Sequence, residues 1–137
     1  MPVALQLEDN QRIMFWQFSD PWTMPELFAH YKESESIFKN ATHRVHSLVD
    51  LQQARSLPSG ILKARYRADW SHPRSGYTVV IGSSPLVKRT AELLFRITRF
   101  DRVKFFEDEA SARAYLDKLI AAEIASEEAS PNPADNA

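Results

Sequence analysis

The stretch YTVVIGSSPLVKRTAELLFRIT, residues 77–98, decides the fold, because a buried strand leads directly into an amphipathic helix. The run YTVVIG is almost wholly apolar and has the length of a strand, which is typical of a central strand covered on both faces. Ser84 is suited to cap the helix and Pro85 to occupy its first position. The predicted apolar stripe of this helix comprises Leu86, Val87, Leu93, Leu94 and Ile97, with Ala91 at its margin. A strand followed at once by a helix is the unit from which parallel sheets are built.

Comparable segments precede and follow this unit. Residues 3–7 and 12–18 are short β-prone runs joined by a turn, and they predict a hairpin. Thr23 and Glu26 have the spacing of a capping box, which predicts the start of a helix. The further predicted segments are a strand at 44–51, a helix within 56–70, a loop at 71–76, a strand at 102–106 and a helix after Asp108.

The resulting order, β-β-α-β-α-β-α-β-α, predicts an α/β fold. Strands that alternate with helices form a mostly parallel sheet, and the first hairpin adds an antiparallel edge, so we expect five strands covered by helices. The length of 137 residues suits one domain, which we assign to residues 1–125. Residues 126–137 are polar and acidic and contain proline, and we predict a disordered tail there.

Composition excludes several classes of function. The formal net charge of −1 provides no overall attraction to nucleic acid, so no nucleic-acid partner is expected. The absence of cysteine excludes disulfides, thiolate metal ligands and cysteine nucleophiles. The first residues lack the basic and apolar regions of a signal peptide, and no apolar run reaches the roughly 18 residues of a spanning helix. We therefore expect a cytoplasmic protein.

The sequence contains no motif that indicates catalysis or metal binding. His43 and His46 are three residues apart, but on a strand this spacing points them to opposite faces. The run GSS at residues 82–84 has neither the ending of a P-loop nor the pattern of a nucleophile elbow. Any Ser-His-Asp triad would have to be assembled from composition alone. We predict a protein that is not an enzyme and that uses neither a metal nor a cofactor.

Four segments resemble a known family. They are LVDL at residues 48–51, PSGIL at 58–62, YTVVIGSSPLVKRTAELLFRI at 77–97 and VKFFEDEASARAYL at 103–116. In order and spacing they resemble the SpoIIAA-like fold, which is shared by STAS domains and anti-sigma-factor antagonists. The resemblance covers residues 3–121. It implies the element order given above and a regulatory or protein-interaction module.

The family's phosphorylation site is altered in this chain. In the anti-sigma-factor antagonists, the first serine of an Asp-Ser-Ser-Gly motif accepts the phosphate. Aligned on Ser59 and Gly60, that position is Pro58, and the aspartate before it is Leu57. Proline has no hydroxyl, so the resemblance implies that the switch is absent. The chain is then similar to the branch that resembles the CRAL-TRIO lipid-binding fold, in which an apolar groove lies between helices.

Two turns are candidate binding sites. Pro58, Ser59 and Gly60 precede a predicted helix, and Ser83 and Ser84 precede the next one. Free N–H groups and the helix dipole at such positions favour an anion or a partner contact. The alternative is that the serines only cap their helices.

Apolar residues of the second and third predicted helices are a further candidate surface. The side chains of this surface either close onto the core or line a cavity for an apolar ligand. They are Leu62, Tyr66 and Leu86, together with Leu94. Trp70 either joins the core or lines a groove.

Basic residues concentrate in the same two helical segments although the total charge is near zero. The predicted basic surface consists of Arg65, Arg67, Arg74, Lys88, Arg89 and Arg96. It is either a docking face for an anionic membrane or an acidic partner, or a solvated face with local ion pairs.

These observations lead to two hypotheses for function. The first is a non-enzymatic regulatory or interaction module that docks an unknown protein partner through the second helix and adjacent loops. The second is a module that binds a small apolar molecule or lipid, with peripheral membrane association. The oligomeric state stays open.

Overall fold

The computed structural model describes residues 3–66 and 72–129 and shows an α/β protein. Its elements are β1 (Val3–Glu8), β2 (Ile13–Ser19), α1 (Met24–Asn40), β3 (Val45–Gln53), a 3₁₀ helix (Ile61–Tyr66), β4 (Ser75–Ile81), α2 (Pro85–Ile97), β5 (Val103–Phe106) and α3 (Glu109–Ala129). Within the described residues, none of the helices combines the length and the apolar character needed to cross a membrane.

The five strands form one sheet in the order β1-β2-β3-β4-β5. β1 runs antiparallel to β2, with Val3 opposite Phe18, and the other neighbouring pairs are parallel. This confirms the predicted mostly parallel sheet with an antiparallel edge. Each strand lies beside the next one in sequence, so successive right-handed crossovers place their connecting helices on one face.

The two faces of the sheet hold separate apolar clusters. Alternation along β2 separates them, because Met14, Trp16 and Phe18 join one cluster while Ile13 and Phe15 join the other. The first cluster packs against α1, the 3₁₀ helix and α2. The second packs against α3, which follows β5 and covers the opposite face.

The helix starts are those predicted from capping residues. The Thr23 hydroxyl accepts from the Glu26 N–H at 3.4 Å, and Glu26 Oε1 accepts from the Thr23 N–H at 3.0 Å, which confirms the capping box. Ser84 Oγ accepts from the Val87 N–H at the start of α2. Asp108 accepts from the Ser111 N–H at the start of α3, and this bond holds the pKa of Asp108 below its usual range.

A buried histidine joins α3 to the sheet. The His46 side chain is fully buried, and its Nε2 lies 2.9 Å from Glu123 Oε1 on α3. Its Nδ1 accepts a hydrogen bond from the Tyr77 N–H at 2.9 Å. The ring proton is therefore on Nε2, which donates a hydrogen bond to the Glu123 carboxylate. A Cβ at Gly76 would lie 2.3 Å from His46 Nδ1, and glycine at this position therefore makes room for the ring.

The connection between β3 and β4 differs from the prediction. A helix was expected within residues 56–70, but the described part of this connection forms only the six-residue 3₁₀ helix. Gly60 precedes it with φ +87°, a left-handed conformation that interrupts a regular α-helix at this point. β4 begins at Ser75, two residues earlier than predicted, because Ser75 pairs with Val45.

The last helix is also longer than predicted. α3 continues to Ala129, whereas a disordered tail was expected from residue 126. Glu127 lies in the extra turn and pairs with Arg12 at 3.0 Å, which ties the end of the helix to the sheet. The remaining predicted tail, 130–137, lies outside the described residues.

The apolar stripe of α2 was assigned too broadly. Val87, Leu94 and Phe95 are the buried residues of this helix, but Leu86 is 70% exposed. Leu93 and Ile97 are exposed as well. Apolar residues cover a wide arc of α2, and only the part of the arc that faces the sheet is buried.

Candidate ligand pocket

A pocket of about 140 Å³ lies between the sheet and its helical layer of α1, the 3₁₀ helix and α2. Its lining is mainly apolar, and among the residues that the structure describes no charged side chain contributes to it. Nine sheet residues line it: Met14, Trp16, Phe18, Ser47, Val49, Leu51, Ser75, Thr78 and Val80. From the covering side it is lined by Trp22, Leu27, Tyr31, Ser34, Phe38, Leu57, Ile61, Ala64, Val87, Ala91, Leu94 and Phe95.

Short side chains create this space. Ser47 and Thr78 are opposite each other on β3 and β4, at positions that face the helical layer. Ala64 and Ala91 face them from the covering side. Side chains of this size leave part of the gap between a sheet and a helix layer, about 10 Å deep, unfilled.

The crossover from β3 to β4 differs from the other two in its described part. The other two crossovers contain helices of 17 and 13 residues, whereas the described part of this one contains a 3₁₀ helix of six. A six-residue 3₁₀ helix spans roughly 12 Å and presents few side chains to the sheet.

One wall of the pocket is aromatic. Trp16 meets the Tyr31 ring edge-on at 5.9 Å, and Phe18 meets Trp22 at 4.7 Å. The buried indole N–H of Trp22 has no hydrogen-bond acceptor among residues 3–66 and 72–129. A buried donor without an acceptor costs about 1–3 kcal/mol, so this wall is not optimised for stability alone.

The size of the pocket matters energetically. The pocket is partly open to solvent, so the roughly 24 cal/mol per Å³ that applies to an enclosed cavity gives an upper bound on the order of 3 kcal/mol for leaving it unfilled. An apolar cavity of about 150 Å³ engineered into another protein binds benzene.

The turn that carries Pro58, Ser59 and Gly60 has a different character. Ser59 and Gly60 are exposed, and the helix that follows is a short 3₁₀ helix, so the dipole argument for an anion site does not apply. Asp20 holds the start of this connection, because its carboxylate accepts from the Arg55 N–H at 2.8 Å. The side chain of Leu57 points inward and lines the pocket.

The turn before α2 is explained by local structure. Ser84 caps the helix, which confirms the capping interpretation, and Ser83 beside it is half-buried. Gly82 has φ +69°, and a Cβ there would lie 2.2 Å from Gln52 Cγ. A partner contact at Ser83 and Ser84 stays a prediction.

The structure brings only part of the predicted apolar surface together. Leu94 lines the pocket, Leu62 packs against the edge of the core, and Leu86 faces away on the outer side of α2. The side chain of Tyr66 and all of Trp70 lie outside the described residues.

The predicted basic surface is only partly described. Lys88, Arg89 and Arg96 are exposed on α2, and Arg74 is exposed in the turn before β4. The side chain of Arg65 and all of Arg67 lie outside the described residues.

Sequence reasoning missed most of the pocket residues. Trp16, Tyr31, Ser47 and Thr78 line the pocket but are not among the site residues predicted from the sequence. A usable signal was present, because small hydroxyl residues at inward positions of apolar strands leave space on the sheet.

The two neighbouring histidines are not a metal site. His43 precedes β3 and hydrogen-bonds the Arg44 carbonyl, while His46 is buried against Glu123. Over the described ranges, no group of three or more His, Cys, Asp or Glu side chains is arranged to hold a metal ion.

Compared with known proteins, the chain matches no protein-family model and no curated protein sequence. The resemblance to the SpoIIAA-like family therefore stays a prediction, as does the absence of enzymatic activity.

Proposed function

We propose that this protein binds a small, mainly apolar molecule in the pocket between the sheet and the layer of α1, the 3₁₀ helix and α2. The observation that carries the proposal is the apolar pocket of about 140 Å³. Of the two hypotheses from the sequence, the pocket supports ligand binding. The interaction-module hypothesis is supported by the resemblance to the SpoIIAA-like family.

The lining limits the chemistry of the ligand. No charged side chain of residues 3–64 and 72–129 lines the pocket, so an ionised ligand group would lose its hydration without gaining a counter-ion from them. Ser47, Ser75 and Thr78 provide hydroxyls on the sheet side of the lining. The ligand is therefore uncharged, about the size of one aromatic ring, and carries at most a small polar group.

Binding of benzene and indole to the full chain tests the proposal. Because Trp16 and Trp22 line the pocket, benzene binding should change tryptophan fluorescence, and both probes should raise the melting temperature. Ala91→Leu places a larger side chain in the pocket and should weaken binding by about tenfold or more.

Ala114→Leu is the matched control, because Ala114 is exposed on α3 and the same volume is added far from the pocket. Binding by this variant should equal that of the wild type. A folded wild-type protein that binds neither probe would contradict the proposal. If a protein that binds neither probe copurifies with a stoichiometric protein partner, the result would favour the interaction-module hypothesis.

A further inference from the structure

The outer side of α2 carries an apolar stripe that the fold does not cover. Leu86 is 70% exposed, Leu93 42% and Ile97 45%. At about 100° per residue, these three positions fall within an arc of roughly 40° on the helix. We call them the outer stripe. A solvent-facing helix side ordinarily carries polar residues, so three large apolar side chains in one line indicate a contact surface.

Cationic side chains border the outer stripe. Arg89 and Arg96 lie next to it on the helix, are exposed, and form no ion pair with any residue that the structure describes. Lys88 is exposed too but lies on the opposite side of the helix, about 160° from Leu86, with its ammonium 5.3 Å from the centre of the Phe105 ring. Glu92 is the single acidic residue of α2. The outer side of this helix therefore combines an apolar line with excess positive charge.

We propose that α2 docks on the surface of an anionic lipid bilayer, with the outer stripe inserted into the interface. Helices that lie in a bilayer surface have this pattern, an apolar face beside lysine and arginine. The apolar side chains enter the boundary between headgroups and acyl chains. Arg89 and Arg96 remain at the level of the lipid phosphates, which are complementary in charge.

A lipid surface fits the outer stripe better than a protein surface does. A stable protein interface involves roughly 20–30 residues on each side, whereas the stripe is one line of three side chains between charged neighbours. A bilayer adapts to a narrow stripe and supplies many anionic groups. This docking proposal depends on the outer side of α2 alone and does not require that the pocket be occupied.

Cosedimentation of the full chain with lipid vesicles tests the proposal. Vesicles of phosphatidylcholine with added phosphatidylglycerol should bind the protein, vesicles of phosphatidylcholine alone should bind it at least about tenfold less, and added salt should release it. Replacement of the outer stripe by asparagine, in a triple variant Leu86→Asn/Leu93→Asn/Ile97→Asn, should lower the partition coefficient by about tenfold or more. The double variant Arg89→Glu/Arg96→Glu should do the same.

Matched controls separate this surface from general effects. Lys32→Glu/Lys118→Glu changes the net charge equally but at exposed sites on α1 and α3, and Leu7→Asn removes an exposed apolar residue from β1. Both controls should bind anionic vesicles within about twofold of the wild type. The proposal is overturned if the folded wild type stays in the supernatant with anionic vesicles at low salt. Equal losses in the α2 and control variants would overturn it too.

Discussion

At the scale of single residues, His46 shows how a buried polar group can specify a fold. Its ring has no exposed surface, and both of its nitrogens have partners, the Tyr77 N–H and the Glu123 carboxylate. Gly76 leaves the space that the ring occupies. The ring thus connects β3, β4 and α3 through bonds with defined directions, which apolar packing alone does not provide.

Removal of the Glu123 carboxylate tests this role. In Glu123→Ala, the buried Nε2–H of His46 loses its acceptor, and we expect the free energy of unfolding to fall by about 1–3 kcal/mol. Glu123→Gln keeps an oxygen acceptor and should cost clearly less. Urea denaturation of the two variants and the wild type measures the difference. Equal losses in both variants would show that the hydrogen bond to His46 is not the cause.

At the scale of elements, the helix starts were predictable and the helix ends were not. Capping by Thr23, Ser84 and Asp108 uses atoms within three residues of each cap, so the sequence contains the whole interaction. The end of α3 depends on Glu127 meeting Arg12, which is 115 positions away. The residues around Glu127 do not indicate this contact. From sequence alone, the acidic stretch therefore predicts a disordered tail.

The contact of Glu127 with Arg12 should make the end of α3 sensitive to pH. The hydrogen bond from Arg12 holds the pKa of Glu127 below its usual range. A carboxylate with a lowered pKa stabilises the folded state above its unfolded-state pKa, and this contribution disappears as the pH falls through the folded-state pKa. Wild type should therefore be more stable than Glu127→Gln at neutral pH, and the difference should disappear as the pH falls through the lowered pKa of Glu127.

Chemical denaturation over this pH range measures the effect. Comparison with Glu127→Gln removes the contribution of all other carboxyl groups, because both proteins share them. Glu128→Gln is the control, since Glu128 is the exposed neighbour in the same turn. A stability difference between wild type and Glu127→Gln that stays constant with pH would contradict the assignment.

At the scale of the whole molecule, the pocket reflects how the layers meet. The sheet is continuous, but only a short 3₁₀ helix is described in the crossover from β3 to β4, and small residues lie on both sides of the gap. A protein optimised for stability alone would fill such a space.

Filling the pocket should therefore stabilise the ligand-free protein. Ala91→Leu adds three carbon atoms, each worth about 0.8 kcal/mol when buried, and strain takes back part of the gain. We expect the free energy of unfolding to rise by about 1–2 kcal/mol, as measured by urea denaturation. Ala114→Leu should change it by less than about 0.5 kcal/mol. A destabilised Ala91→Leu protein would mean that Ala91 has no free space beside it.

The sequence by itself determined the fold class, the strand order along the chain and the helix starts, because these depend on periodicity and on capping between near neighbours. Only the tertiary structure decided where α3 ends, which apolar residues of α2 are buried, and that His46 is held by Glu123, 77 positions away. It alone revealed the pocket. An empty volume is a property of surfaces that meet from distant parts of the chain, and no local stretch of sequence contains both sides of it.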